Sequence, residues 1–204
     1  MTRNSLVKKS PMCNFENLEH KLYEVINTSE WNKFIRLFKK AEHIYIVGNG
    51  GNWAVATHAA VDLSRLTKKK VFSLDSICYV TSIANDAGYE NVFKKWLDLY
   101  SDKKVKSLVI CFSATGTSKN IVNTLKWSSK QKNFDNFLIT ANLNKKKNRQ
   151  NKSNIINFNL KYFHSSELVT FMLFYEIVCQ LGYKCPSILD EVARRSKSKI
   201  IKNK

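Results

Sequence analysis

The sequence predicts an α/β fold: a three-layer, doubly wound sandwich around a central parallel sheet of five strands, in the flavodoxin-like manner. Short apolar runs of strand length alternate along the chain with longer segments whose apolar residues recur every three or four positions. Strands that alternate with helices form parallel sheets with right-handed connections and with helices on both faces. With 204 residues and 44% hydrophobic residues, the chain is long enough to bury the core of one domain.

The predicted elements follow in chain order from this alternation. The apolar spacing within residues 15–40 predicts two amphipathic helices, separated at residues 27–29. Further helices are predicted at 52–66, 77–83, 92–100, from 121 onward and at 165–181. The predicted strands are 44–47, 71–74, 105–112, 137–141 and 155–160. A polar loop follows at 142–153, and the Lys-rich tail after Pro186 is expected to fray.

This order predicts a single domain over residues 1–204, with an N-terminal helical segment at 1–42, an α/β core at 43–183 and a basic tail at 184–204. The chain has 34 Lys and Arg residues against 16 Asp and Glu residues, a net charge of +18, which raises nucleic acid as a partner. The excess is mostly Lys, spread along the chain, and no aromatic-basic motif accompanies it. We therefore interpret it, including the basic run 145–149, as a solvated surface that also attracts anionic metabolites, and we expect no nucleic-acid partner.

The cysteines and the N-terminal residues indicate the cellular compartment. The five cysteines are odd in number, form no CxxC pair and fall partly inside apolar runs, as reduced thiols do in a reducing compartment. Charged or polar residues interrupt every short apolar run among the first 30 residues, and no membrane span is visible. We expect a cytoplasmic protein without a membrane partner.

Two loops carry residues suited to chemistry, and each follows a predicted strand. Residues 48–52 form a glycine-rich turn, and residues 113–118 place four hydroxyl side chains around Gly116 directly before a helix. Amides at a helix start favour an anion, and hydroxyls complete the shell around a phosphate. Hydroxyl residues are also the usual N-caps of helices, so the residues alone leave cap and phosphate site equally open. Ligands of such sheets bind beyond the carboxyl ends of the strands, where both loops are expected.

At these motifs the chain resembles the SIS (sugar isomerase) domain family, and within it the phosphoheptose isomerase branch. Val47-Gly48-Asn49-Gly50-Gly51-Asn52 is similar to that branch's glycine-rich turn, with Asn52 where a serine is usual. Ala84-Asn85-Asp86-Ala87-Gly88-Tyr89 is similar to its Asn-Asp-x-Gly-Phe/Tyr stretch, and Ser113-Ala114-Thr115-Gly116-Thr117-Ser118 resembles its phosphate loop. The resemblance covers roughly residues 44–181. It implies that a phosphorylated sugar is bound by Asn49, Gly50, Gly51, Asn52, Asn85, Asp86, Ser113, Ala114, Thr115, Thr117 and Ser118.

The same resemblance implies catalytic residues. In the family, the helix after the glycine turn carries a His and, one turn later, a Glu that approach a zinc ion and the substrate. Here these positions hold His58 and Asp62, which share one helical face. We expect Asp62 to act as the base, with Glu167 as the second candidate, and His58 to polarise or protonate the carbonyl oxygen. The resemblance also implies a zinc ion held by His58 and Asp62, to which His164 or Glu167 could add a ligand.

The C-terminal helix departs from the family pattern. The family places a Gln and, about two turns later, a His on this helix. Counting back from residues 177–181 assigns these positions to Leu168 and Glu176, whereas a shift by one residue assigns them to Glu167 and Tyr175. Neither assignment restores the four-ligand zinc site.

Two functions from different classes remain open. The first is a ketose–aldose isomerase, with sedoheptulose 7-phosphate as the implied substrate and heptose for surface polysaccharide as the implied product. Its enediol chemistry needs a base, an acid and a phosphate anchor. The second is a non-catalytic SIS module that binds a phosphosugar and acts through protein contacts, which the altered C-terminal helix favours. Because SIS domains usually assemble as dimers or tetramers with shared sites, the resemblance also implies a homo-oligomer, with the apolar N-terminal helices suited to packing between subunits.

Overall fold

The computed structural model describes residues 16–143 and 154–202. Its centre is a sheet of five parallel strands: β1 (His43–Val47), β2 (Lys70–Ser73), β3 (Ser107–Phe112), β4 (Phe134–Thr140) and β5 (Asn154–Asn157). The strand order β2-β1-β3-β4-β5 is the flavodoxin-like order, in which the winding reverses between β1 and β3. The predicted α/β fold with a five-stranded parallel sheet is confirmed.

Helices connect the strands. They are α1 (Leu18–Ile26), α2 (Ser29–Lys40), α3 (Gly51–Thr67), α4 (Ile77–Ala87), α5 (Val92–Tyr100), α6 (Lys119–Ser128), α7 (Phe163–Gln180) and α8 (Ile188–Lys202). A short 3-10 turn, Tyr89–Asn91, joins α4 to α5. The helices predicted at 52–66 and 165–181 agree closely with α3 and α7.

Alternation within the strands divides the core into two halves. In β3, Leu108, Ile110 and Phe112 face one side of the sheet, Val109 and Cys111 face the other, and all are buried. The first side packs against α1, α2, α3 and α7, and the second against α4, α5 and α6. Helices therefore cover both faces of the sheet, and the predicted three layers are confirmed.

The second N-terminal helix packs on the chain's own core. The Thr28 hydroxyl caps α2 by accepting a hydrogen bond from the Trp31 backbone N–H at 3.2 Å. Trp31, Phe34 and Phe38 then project from one face of α2 and are fully buried. Each contributes on the order of 2 kcal/mol by burial. The face of α2 that the sequence analysis assigned to packing between subunits is thus occupied within the chain, and the homo-oligomer stays a prediction.

Lys69 ties the end of α2 to the segment between α3 and β2. Its Nζ donates hydrogen bonds to the Lys39 carbonyl oxygen at 2.8 Å and to the Ala41 carbonyl oxygen at 2.7 Å. These carbonyls lie at the C-terminal end of a helix, where a cation is favoured. Partial burial lowers the pKa of Lys69, and the negative charge of Glu42 opposes this shift.

The strand boundaries differ from the prediction where polar residues interrupt apolar runs. β4 begins at Phe134, ahead of the predicted start at residue 137, because the Asn136 amide finds partners inside the fold. It donates to the Leu125 carbonyl oxygen at 3.2 Å and to Ser128 Oγ at 2.9 Å. β5 ends at Asn157, short of the predicted residue 160, because the backbone turns at Asn159, which has a φ of 54°.

The basic tail after Pro186 forms α8 from Ile188 to Lys202, and the fraying of its Lys-rich end stays a prediction. In α8, Glu191 accepts hydrogen bonds from Arg194 at 2.7 and 2.9 Å and from Arg195 at 2.8 Å. Pairs at this spacing stabilise a helix, and the two guanidinium groups lower the pKa of Glu191 to about 2. None of the helices in the described ranges combines the length and the apolar character needed to cross a bilayer.

Several predictions concern residues outside the described ranges. They are the start of the first helix at residue 15, Cys13, and the polar loop from residue 144 to 153 with its basic run 145–149.

Candidate functional site

A cleft of about 840 Å³ opens at the carboxyl ends of β1 and β3. This is the point where the winding of the sheet reverses, the usual ligand position in such folds. The glycine turn after β1, the hydroxyl loop after β3 and the start of α7 line it together. The lining residues are Asn49, Gly50, Gly51, Asn52, Phe112, Ser113, Ala114, Thr115, Ser118, Phe163 and Glu167.

The hydroxyl loop, residues 113–118, presents side chains that are not consumed by helix capping. Ser118 is the N-cap residue of α6, yet its side chain makes no capping hydrogen bond, and its Oγ lies 3.3 Å from Ser113 Oγ. The Thr115 and Thr117 hydroxyls lie 2.7 Å from each other. Gly116 has a φ of 70°, a left-handed conformation that glycine adopts at little cost. Because capping does not use the Ser118 hydroxyl, the geometry favours the ligand interpretation of this loop.

The glycine turn brings the start of α3 to the same cleft. Gly50 has a φ of 56° and a ψ of −128°, a conformation that essentially only glycine adopts, and α3 begins at the next residue. A methyl group at residue 51 would lie 2.1 Å from Glu167 Oε1, so the Glu167 carboxylate packs directly against Gly51. The first turn of α3 presents the positive end of the helix dipole to this cleft, while the backbone N–H groups of Asn52 and Trp53 donate to the Asn49 and Gly50 carbonyl oxygens at 3.1 and 2.9 Å.

Two hydrogen bonds between amide side chains connect the glycine turn to the start of α6, directly after the hydroxyl loop. Asn49 Nδ2 donates to Asn120 Oδ1 at 2.9 Å, and Asn120 Nδ2 donates to Asn49 Oδ1 at 2.8 Å. Asn120 Oδ1 also accepts the Ile121 backbone N–H at 2.9 Å, and the Tyr89 hydroxyl donates to Asn49 Oδ1 at 3.0 Å. Asn120 is buried. Neither Asn120 nor Tyr89 is among the predicted site residues, although Tyr89 closes the Ala84–Tyr89 motif and Asn120 follows the hydroxyl loop by two residues.

His58 and Asp62 lie on α3 as predicted, and Tyr175 on α7 joins them. The Tyr175 hydroxyl donates to Asp62 Oδ2 at 2.9 Å and lies 3.4 Å from His58 Nε2, which is 3.2 Å from Asp62 Oδ2. The hydrogen bond to Asp62 is the main reason why the pKa of Tyr175 is raised, and burial adds to it. We call these three residues the His58–Asp62–Tyr175 cluster. With Phe171 and other apolar residues of α3 and α7, it lines a small pocket that has room for about one water molecule.

The cluster and the cleft lie at different positions along α3 and α7. Glu167 contacts Gly51 at the start of α3, whereas Tyr175, two turns later on α7, contacts Asp62. At about 1.5 Å per residue, α3 rises about 10 Å from Gly51 to His58. The structure therefore brings His58 and Asp62 together and places the third predicted catalytic residue, Glu167, in the cleft instead.

Other predicted residues lie outside both cavities. Asn85 and Asp86 are exposed near the C-terminal end of α4, and Asn85 Nδ2 donates to Asp86 Oδ1 at 3.0 Å. They do not line the cleft, because the other side of α4 packs against the core and turns them to solvent. Thr117 contacts the cleft only through Thr115. The His164 ring stacks on Tyr162, with ring centroids 5.4 Å apart.

Comparison with known proteins agrees with the geometry. No protein-family model matches the chain. The phosphoheptose isomerase of Helicobacter pylori is 31% identical over 128 residues, which cover 58% of this chain and 65% of that protein. The phosphoheptose isomerase of Buchnera aphidicola is 28% identical over 110 residues, which cover 52% of this chain and 55% of that protein. The resemblance to the SIS phosphoheptose isomerases is confirmed.

The likeness extends to the fold of a solved phosphoheptose isomerase. The structure of the enzyme from Neisseria gonorrhoeae superposes with a TM-score of 0.71 at 17% sequence identity, covering 81% of this chain and 91% of that one. At this identity the superposition shows a shared fold. In sequence, the chain spans about half the length of the curated phosphoheptose isomerases it matches first.

The contacts of α7 bear on how it aligns with the phosphoheptose isomerase pattern. Leu168 is 43% exposed, and Glu176 accepts a hydrogen bond from Gln180 at 2.9 Å, so neither faces Asp62. Glu167 and Tyr175 face α3 instead, and Tyr175 contacts the predicted His58–Asp62 pair. The contacts favour the alternative assignment, because Glu167 and Tyr175 both touch α3, and the assignment to Leu168 and Glu176 stays an untested alternative.

A four-ligand zinc site does not fit these residues. Within residues 16–143 and 154–202, no three side chains among His, Cys, Asp and Glu gather closely enough to hold a metal ion. The third group beside His58 and Asp62 is a phenol that donates its proton to the Asp62 carboxylate. Neither His164 nor Glu167 completes the set.

Proposed function

We propose that the chain is a sugar-phosphate isomerase that interconverts a ketose phosphate and an aldose phosphate. The observation that carries the proposal is the cleft between the glycine turn and the hydroxyl loop. The starts of α3 and α6 both open onto it, and Ser113, Thr115 and Ser118 add hydroxyls. Helix amides and hydroxyls arranged in this way stabilise a phosphate dianion.

The distance from the cleft to the His58–Asp62–Tyr175 cluster supports a long substrate. An extended seven-carbon sugar phosphate spans about 10 Å from phosphorus to C1, at about 1.2 Å per bond along the chain. This length matches the rise of about 10 Å along α3 from Gly51 to His58. Helical side chains also lean toward the N-terminus, which shortens the distance to Asp62. We therefore propose sedoheptulose 7-phosphate as the substrate and a heptose 7-phosphate as the product.

In this mechanism, the phosphate in the cleft holds the sugar while the reacting carbons reach the far cluster. The Asp62 carboxylate removes a proton from C1, and His58 gives a proton to the carbonyl oxygen on C2, forming the enediol. Asp62 then delivers the proton that it took from C1 to C2. His58 takes the proton of the C1 hydroxyl, and the product is the aldose. Glu167, whose carboxylate lies in the cleft, is the second candidate for the base.

The test is turnover of sedoheptulose 7-phosphate by the full chain, followed by NMR. We expect aldose formation, and we expect Asp62→Asn to lower kcat by about 10²- to 10⁴-fold, the usual loss for a general base. The matched control is Asp98→Asn, which changes an exposed carboxylate that pairs with Lys103. If Glu167→Gln abolishes turnover and Asp62→Asn does not, the roles of the two carboxylates are exchanged. No turnover of any ketose phosphate contradicts the proposal.

The alternative function is a phosphosugar-binding module without catalysis. It is favoured by the Glu167 carboxylate, which packs against Gly51 inside the cleft, and by the phenol in place of a further metal ligand. Saturable binding of sedoheptulose 7-phosphate without turnover would establish this alternative. The homo-oligomer is a prediction of the resemblance, and light scattering on the purified chain measures it. The cytoplasmic location is a prediction from the cysteine pattern and the interrupted apolar runs.

A further inference from the structure

Tyr175 occupies the side of His58 and Asp62 where a shared metal ion would bind. Its hydroxyl lies within 3.4 Å of His58 Nε2 and 2.9 Å of Asp62 Oδ2, so it already bridges the two groups. The hydroxyl oxygen of a Tyr lies farther from the backbone than Nε2 of a His by about 2 Å, roughly the length of one zinc–nitrogen bond. The hydroxyl of residue 175 thus lies about where an ion held by an imidazole at the same position would lie.

The hydrogen bond within the cluster also disfavours the binding of a metal ion. The one hydroxyl proton of Tyr175 is donated to Asp62 Oδ2, which occupies a lone pair that an ion would need. To become a metal ligand, the phenol would have to lose this proton.

The neighbouring thiol does not supply a replacement ligand. Cys185 is a free, exposed cysteine, and among the described residues no third His, Cys, Asp or Glu side chain gathers with His58 and Asp62 closely enough to hold a metal ion.

We propose that the Tyr175 hydroxyl takes the place of a divalent metal ion in this cluster: it holds the Asp62 carboxylate in position, and the chain binds no zinc there. Tyr175 is then a positioning residue for Asp62. A single change, Tyr175→His, removes the bridging hydroxyl and adds an imidazole. It should therefore create the zinc site that the wild-type chain lacks, with His58, Asp62 and the new imidazole as ligands.

Calorimetric titration of the full chain with zinc chloride tests this proposal. We expect Tyr175→His to gain a single zinc site that His58→Ala removes in the double variant. We expect wild type and Tyr175→Phe to show no zinc binding that depends on His58, and Cys185→Ser to change neither result. Zinc binding by wild type that His58→Ala abolishes would overturn the proposal, and so would a folded Tyr175→His chain without the new site. If Tyr175→His does not fold, zinc binding by wild type is compared with zinc binding by His58→Ala, and this comparison still tests whether the wild-type cluster binds zinc.

The kinetic consequence rests on the proposed function. Tyr175→Phe should lower kcat about 10-fold or more, because Asp62 loses its hydrogen bond, and should leave KM within about twofold, because the phosphate cleft is unchanged. EDTA should leave wild-type turnover unchanged. An equal loss of turnover in EDTA and in Tyr175→Phe would overturn the proposal. If wild type shows no turnover, the proposed function fails, and the zinc titration decides the role of Tyr175 separately.

Discussion

Replacing Asn120 with Ala is expected to destabilise the fold and loosen the phosphate cleft together. The Asn120 amide is 3% exposed and exchanges two hydrogen bonds with Asn49, at 2.8 and 2.9 Å. It also accepts the backbone N–H of Ile121 at 2.9 Å. The change therefore removes a buried link between the turn after β1 and the helix after β3.

The expected loss in the free energy of unfolding follows from the polar groups that Asn120→Ala leaves without hydrogen-bond partners. The Ile121 residue is fully buried, and an unpaired buried N–H costs about 1–3 kcal/mol. The two hydrogen bonds to Asn49 contribute about 0.5–1.5 kcal/mol each, partly recovered by water because Asn49 borders the open cleft. The expected loss in the free energy of unfolding is about 2–4 kcal/mol.

Urea denaturation followed by circular dichroism measures this loss, with the m-value expected to stay constant. The control is Asn123→Ala, which removes a half-buried hydrogen bond of 2.9 Å to the Glu90 carbonyl oxygen and should cost about 1 kcal/mol or less. A double-mutant cycle of Asn49→Ala with Asn120→Ala should give a coupling of about 1–2 kcal/mol. A loss below about 0.5 kcal/mol for Asn120→Ala, or the absence of coupling, would refute the reasoning.

Three further outcomes are expected. Gly51→Ala should raise KM for the sugar phosphate about 10-fold in steady-state assays, because its methyl group displaces the Glu167 carboxylate into the cleft; an unchanged KM contradicts this. Because the pKa of Lys69 is lowered in the folded chain, the unfolded chain binds more protons than the folded chain just below pH 10.5. The free energy of unfolding of wild type relative to Lys69→Met should therefore rise with pH in this range, as measured by urea denaturation. Burial raises the pKa of Cys111, so mass spectrometry after native treatment with iodoacetamide should find Cys111 unmodified and the exposed Cys78 modified; alkylation of Cys111 at the rate of Cys78 would show that the core opens.

The sheet was predictable because fully buried parallel strands leave uninterrupted apolar runs in the sequence. The cleft was predictable because the glycine turn and the hydroxyl loop directly follow two such runs and must meet at one edge of the sheet. Boundaries were predicted less well where a polar residue such as Asn136 has its partners within the fold. The partner of Asn136, Ser128, lies on the preceding helix α6, so the alternation within the strand itself carries no sign of the contact.

The contacts between helices were not predictable from spacing alone. Tyr175 entered the sequence prediction only through the alternative alignment of α7 and without a role, and only the packing of α7 against α3 brings its hydroxyl to Asp62. The same packing separates Glu167 from Asp62 by placing it against Gly51. Pattern and periodicity define which face of a helix is buried, but the relative position of two helices along their axes depends on tertiary contacts.

The most direct measurement for the phosphate cleft is a titration of the ¹⁵N-labelled chain with sedoheptulose 7-phosphate, followed by amide chemical shifts. The largest saturable shifts should fall on the amides of residues 49–52 and 113–118. Ser118→Ala should weaken binding about 10-fold, because the phosphate loses its contact with the Ser118 hydroxyl. Saturable shifts confined to other parts of the chain, with Ser118→Ala binding as tightly as wild type, would contradict a phosphate site at this cleft.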